Sequence, residues 1–67
     1  MATSRFGSVL RELREAKGLT QIELVKKAKL AQSYLATLEG GGKKNPSLAI
    51  LTRLAKALNV PVTELLE

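Results

Sequence analysis

Cysteine and histidine are both absent from this chain of 67 residues. Their absence excludes disulfides and the usual zinc sites, so no metal is expected. Aspartate is absent as well, and all 6 acidic residues are Glu. No cluster of Ser, Lys and Glu recurs at a useful spacing either. The side chains that carry most hydrolytic and metal-assisted chemistry are therefore missing, and an enzyme is not expected. Nor is a cofactor or a small-molecule ligand. No apolar run approaches the roughly 20 residues of a membrane span. The apolar stretch after Arg5 is too short for a signal peptide. Glu12 and Glu15 interrupt the polar face of the basic first helix, which argues against a membrane-surface role. The lack of cysteine fits a cytoplasmic protein.

What is present is positive charge, unevenly placed. The formal net charge is +5. Residues 1–17 and 18–30 contribute +2 each, residues 31–45 contribute +1, and residues 46–67 are neutral. The length suggests one domain, residues 1–67, with one small core. A chain this short buries only about 60% of its unfolded surface. Without disulfides or metal, close helix packing is left, with a second subunit as the other available source of stability.

Hydrophobic spacing predicts five helices and no sheet. Thr3 or Ser4 can cap the first, with Phe6, Val9, Leu10, Leu13 and Ala16 along one stripe and Gly18 as its stop. Thr20 and Glu23 form a capping box for the second, whose inward face is Leu24, Val25 and Ala28. The third begins near Ala31 or Gln32 and turns Leu35 and Leu38 inward. Asn45 and Pro46 supply a cap and a first-turn proline for the fourth. Its stripe is Leu48, Leu51, Leu54, Ala55 and Leu58, and Asn59 can take the left-handed stop. Pro61 opens a last short helix carrying Val62, Leu65 and Leu66.

The second and third helices, joined by Ala28-Lys29-Leu30-Ala31, have the layout of a DNA-binding helix-turn-helix. On the third, Gln32, Ser33, Ala36 and Thr37 share a face opposite Leu35 and Leu38. That face carries no charge, which is unusual for a helix that merely meets water and suits one pressed into a major groove. There Gln can bond adenine, Ser and Thr can bond either edge, and Ala or the Thr methyl can touch thymine. An ordinary solvent face that happens to lack Lys and Glu is the competing reading. Lys43 and Lys44 can grip phosphate or sit in a solvated loop. Lys26, Lys27 and Lys29 can approach a flanking backbone or serve solubility. Tyr34 can touch a sugar-phosphate strand or pack over the loop. Arg14 and Glu39, each beside a turn, can pair between helices. Gly40-Gly41-Gly42 lacks the strand and the Gly-Lys-Ser/Thr ending of a nucleotide loop.

One ordered set of residues runs along nearly the whole chain. It comprises Leu10 through Gln21, then Glu23-Leu24, Leu30, Leu35, Leu38-Glu39, Gly41, Asn45-Pro46-Ser47-Leu48 and Leu54-Ala55-Lys56-Ala57-Leu58. With it the chain resembles the Cro/CI-type helix-turn-helix family, also called Xre. The resemblance implies an all-α, compact five-helix bundle of the lambda-repressor-like type that binds operator DNA, usually as a homodimer. It also implies that Gln21 contacts phosphate and that Gln32, Ser33 and Thr37 read bases, with Ala36 on the same face. By the same resemblance Lys43, Lys44 and Asn45 meet the DNA backbone, and Arg14 and Glu39 form a structural ion pair. Dimerisation through the C-terminal third points to Val60, Pro61, Val62 and Leu66.

The departures cluster at the turn. Lys29 stands where the family commonly has Gly, and a left-handed residue with a Cβ costs about 1 kcal/mol or more. A different turn is therefore expected there. Ala31 replaces the usual Ser or Thr cap, and Val25 a smaller residue. Ile22 and Ile50 occupy positions that are often polar, as scattered surface apolars or as a partner-binding patch. The expected function is a sequence-specific transcriptional regulator of repressor, controller or antitoxin type, with double-stranded DNA as partner. The alternative is a protein-interaction module of the same fold with little DNA specificity.

Overall fold

The computed structural model describes residues 5–41 and 46–66. The expected caps at Thr3 or Ser4 and the loop residues Lys43, Lys44 and Asn45 lie outside them. Among the described residues the chain forms α1 (Arg5–Ala16), α2 (Gln21–Ala28), α3 (Gln32–Glu39), α4 (Leu48–Leu58) and a 3-10 helix (Val62–Leu65). Over these described residues the fold is all-helical, with four α-helices. The expected fifth is a four-residue 3-10 helix. It is one tight turn that buries Leu65 and leaves Leu66 60% exposed.

Local chemistry explains the helix limits. Thr20 Oγ1 accepts from the Glu23 N–H at 3.0 Å, and Glu23 Oε1 accepts from the Thr20 N–H at 2.8 Å. This capping box satisfies two otherwise orphaned donors at the start of α2. α4 starts later than expected: Ser47 is its cap, with Oγ accepting from the Ile50 N–H at 3.2 Å. Leu48 is then the first helical residue. Its Cβ tilts toward the N-terminus, beyond the body that α4 packs on. It is 69% exposed, whereas Ile50 is half-buried against the core. The expected stripe position and the expected surface position are thus exchanged.

Three helices end in the same way. Gly18, Lys29 and Asn59 all have φ near +60 to +71°. In each case the following N–H reaches back to a carbonyl five residues earlier: Leu19 to Arg14, Leu30 to Val25 and Val60 to Ala55, at 3.0–3.1 Å. This is the Schellman closure, which satisfies carbonyls left open at a helix end. The expectation of a different turn at Lys29 is therefore overturned. The backbone bond, together with Leu30 packing against the core, offsets the Cβ penalty. Arg53 Nη1 also donates to the Lys29 carbonyl, at 3.4 Å.

The core is aliphatic. Leu10, Leu24, Leu35, Leu38, Leu54, Leu58 and Leu65 are fully buried, joined by Val25, Ala28, Leu51 and Ala55. Ala16, expected on the α1 stripe, is exposed. α1 packs on α3 and the 3-10 helix, α2 on α3 and α4, and α4 on the 3-10 helix. No described helix is long and apolar enough to cross a membrane.

Candidate nucleic-acid interface

α3 divides into a fully buried pair and an exposed polar set. Leu35 and Leu38 are fully buried, while Gln32, Ser33, Ala36 and Thr37 are all exposed. The helical period alone places these two groups on opposite sides. The N-terminal end of α3 is open: Ala31, in an extended conformation, makes no side-chain cap bond. Thr37 Oγ1 donates to the Ser33 carbonyl at 2.9 Å. Tyr34 is half-buried and packs against the core.

The C-terminal end of α3 is tied to α1 and α2 by one carboxylate. Arg14 Nε donates to Glu39 Oε2 at 2.6 Å, and Arg14 Nη2 to Glu39 Oε1 at 3.0 Å. The remaining Arg14 arm, Nη1, donates to the Leu19 carbonyl at 2.7 Å. The paired side chains retain only 10% and 5% of their exposure. This fork geometry matches guanidinium to carboxylate. Burial alone would raise the Glu39 pKa; hydrogen bonds from Arg14 and Gln21 and the charges of Arg14 and Arg11 outweigh it and hold the group below its ordinary value. The hydrogen bond to Glu39, opposed by desolvation and assisted by the charges of Glu39 and Glu15, raises Arg14 in turn.

Gln21 is half-buried at the start of α2, and its Nε2 donates to Glu39 Oε1 at 3.1 Å. A carboxylate only accepts, so the amide nitrogen must be the end facing Glu39. Lys26, Lys27 and Lys29 are exposed on and just after α2. At the opposite end of the chain, Val60 and Val62 are half-buried against the core, while Pro61 and Leu66 are exposed. Ile22, in the first turn of α2, is 50% exposed. Among the described residues there is no group of three or more His, Cys, Asp or Glu arranged to hold a metal ion.

Sequence reasoning missed Gly7. It is buried in α1 where that helix meets the end of α3. A Cβ there would lie 2.5 Å from the Leu38 carbonyl oxygen and 2.9 Å from that of Glu39. A glycine inside a helical pattern was the available signal, since it costs about 1 kcal/mol relative to Ala unless packing requires it. The Gln21–Glu39 bond was missed too, and no local signal announces it.

A family model described as helix-turn-helix matches residues 10–65. The chain belongs to the helix-turn-helix family. Among relatives of this helix-turn-helix chain is the HTH-type transcriptional regulator y4dJ of Sinorhizobium fredii. It is 44% identical over 59 residues, covering 88% of this chain and 75% of y4dJ. The HTH-type transcriptional regulator SinR of Bacillus subtilis is 36% identical over 61 residues, covering 91% of this chain but 55% of SinR. The crystal structure of SinR in complex with DNA is similar at a TM-score of 0.89 and 35% identity, covering 92% of this chain and 98% of that one. The restriction-modification controller protein C.AhdI of Aeromonas hydrophila has a TM-score of 0.88 and 44% identity, with 92% of each chain covered.

Proposed function

We propose that this helix-turn-helix chain is a sequence-specific DNA-binding transcriptional regulator. One observation carries the reading: the charge-free set Gln32, Ser33, Ala36 and Thr37 is exposed together on α3, opposite its two buried leucines. The solved complex of SinR with DNA supports it, as does the likeness to a controller protein. In this reading α3 enters the major groove and its exposed set meets base edges. Gln21, Tyr34, Lys43, Lys44 and Asn45 meet the sugar-phosphate backbone. Residues 1–67 act as one domain, with the 3-10 helix in the place of a fifth helix. A two-fold dimer through Val60, Pro61, Val62 and Leu66 would place two copies of α3 one DNA turn apart, about 34 Å. The protein acts in the cytoplasm, by occupying or flanking a promoter rather than by catalysis.

The test is selection of bound duplexes from a random pool, followed by titration across a salt series. An enriched palindrome is expected. Lys43→Ala and Lys44→Ala should each make the log–log salt slope shallower by about 0.9. A second reading, a protein-interaction module, draws on exposed Ile22 and Leu48. It wins if no sequence is enriched and binding does not respond to salt.

A further inference from the structure

We infer that Thr37 reads the major groove as a hydrogen-bond acceptor, selecting a base pair that turns an exocyclic amino group toward it. The inference rests on the DNA-binding reading above and adds a polarity to one of its contacts. A threonine hydroxyl has one proton and two lone pairs. At Thr37 the proton is already placed: Oγ1 donates to the Ser33 carbonyl at 2.9 Å. Thr52 makes the same bond to the Leu48 carbonyl, also at 2.9 Å, on α4. The bond is therefore a local property of threonine on these helices, arising from its two accessible rotamers. It does not depend on what α3 faces.

The consequence differs between the two sites because only Thr37 lies with Gln32, Ser33 and Ala36 on the exposed face of α3. What its hydroxyl can still offer a partner is lone-pair density. In the major groove, adenine N6 and cytosine N4 are the donors, while purine N7, guanine O6 and thymine O4 only accept. Presenting a proton to one of those acceptors would first break the bond to Ser33. Gln32 carries both a donor and an acceptor on its amide and has no such restriction. Thr37 is thus a specificity-determining residue of fixed sign.

The experiment pairs protein variants with base functional-group deletions. Selection with the parent and with Thr37→Val identifies the base pair whose preference depends on residue 37. The valine keeps the shape and removes the hydroxyl. Synthetic duplexes then lack, at that pair, either the exocyclic amino group or the purine N7. Removing the amino group should weaken the parent roughly two- to tenfold, the range for one hydrogen bond, and leave Thr37→Val unaffected. Thr37→Ser, which keeps the hydroxyl, should behave like the parent. The 7-deaza duplex should weaken parent and Thr37→Val equally. The inference is overturned if the N7 deletion, rather than the amino deletion, couples to Thr37→Val. It is also overturned if neither couples, or if no base pair responds to the substitution. Failure of the DNA-binding reading looks different: the parent itself then enriches no sequence.

Discussion

The two ends of α3 are built on opposite plans. Its C-terminal end is gripped: Leu38 is fully buried, Gly7 lets the α1 backbone close in, and Glu39 takes three hydrogen bonds from α1 and α2. Its N-terminal end is bare, with an uncapped Ala31 and exposed Gln32 and Ser33. A short helix has little stability of its own, so its direction is set by whatever holds it in tertiary contact. Here the polar part of that hold is concentrated at the end remote from the open turn, while Leu35 and Tyr34 pack on the core between the two ends. Eight residues can in this way present an unencumbered first turn without losing orientation.

The largest effect should come from removing the grip. Glu39→Ala leaves Arg14 charged and buried without its partner, which should cost about 3 kcal/mol in chemical unfolding. A double-mutant cycle of Arg14→Met with Glu39→Gln should be strongly non-additive; additive losses would show that the two act independently. The pair also sets a pH dependence. Because the folded-state value of Glu39 is lowered, the unfolded chain takes up that proton more readily. Its contribution is full above the ordinary carboxylate pKa of 4.5 and is lost as the pH falls through that value and then the folded one. Parent and Glu39→Gln should therefore converge in stability on acidification.

Gly7→Ala should come next. At most exposed helix positions this change stabilises by up to about 1 kcal/mol. Here the new methyl meets two carbonyl oxygens of α3. A loss of about 1–3 kcal/mol is expected, as for overpacking elsewhere. A melting temperature equal to or above the parent's would mean the helices separate without cost.

The open end should respond in the other sense. Ala31→Ser supplies the missing cap and should stabilise by about 1 kcal/mol. Lys29→Gly relieves the left-handed residue two positions earlier, with a gain of up to about 1 kcal/mol. If neither raises the unfolding midpoint, the turn is not the weak point that its backbone suggests. Smallest in stability is Gln32→Ala, expected within about 0.5 kcal/mol of the parent because the side chain is exposed. Its effect should instead be on base preference, at one position in each half-site. An unchanged selected motif would remove Gln32 from the reading set.

Much of this is legible in the sequence. The capping box of Thr20 and Glu23, the left-handed Asn59, the inward set Leu24, Val25 and Ala28, and the two faces of α3 all follow from signals within four or five residues. The polar face was legible for the same reason, since a period of 3.6 assigns sides without knowing what lies on them. Other features depended on residues far apart in sequence. Gly7 looks like a weak helix residue until α1 is laid across the end of α3. Gln21 looks free until Glu39 arrives beside it. Leu48 and Ile50 exchange roles for a mixed reason: Ser47 sets the start of α4 locally, but which of the two is covered depends on where the rest of the core ends.

Local sequence alone fixes where α2 begins, where α1 and α4 stop, which sides of α2 and α3 are apolar, and that one helix carries an uncharged polar face. Caps, turns and periodicity act through the nearest turns of backbone, and the residues responsible are adjacent in the chain. That Lys29 accepts a left-handed turn, that Glu39 serves three helices at once, and that α1 needs glycine at one point all follow from packing between helices. Each of those outcomes is a balance between a local cost and a contact supplied from elsewhere. The contact exists only once the helices have crossed at a particular distance and angle.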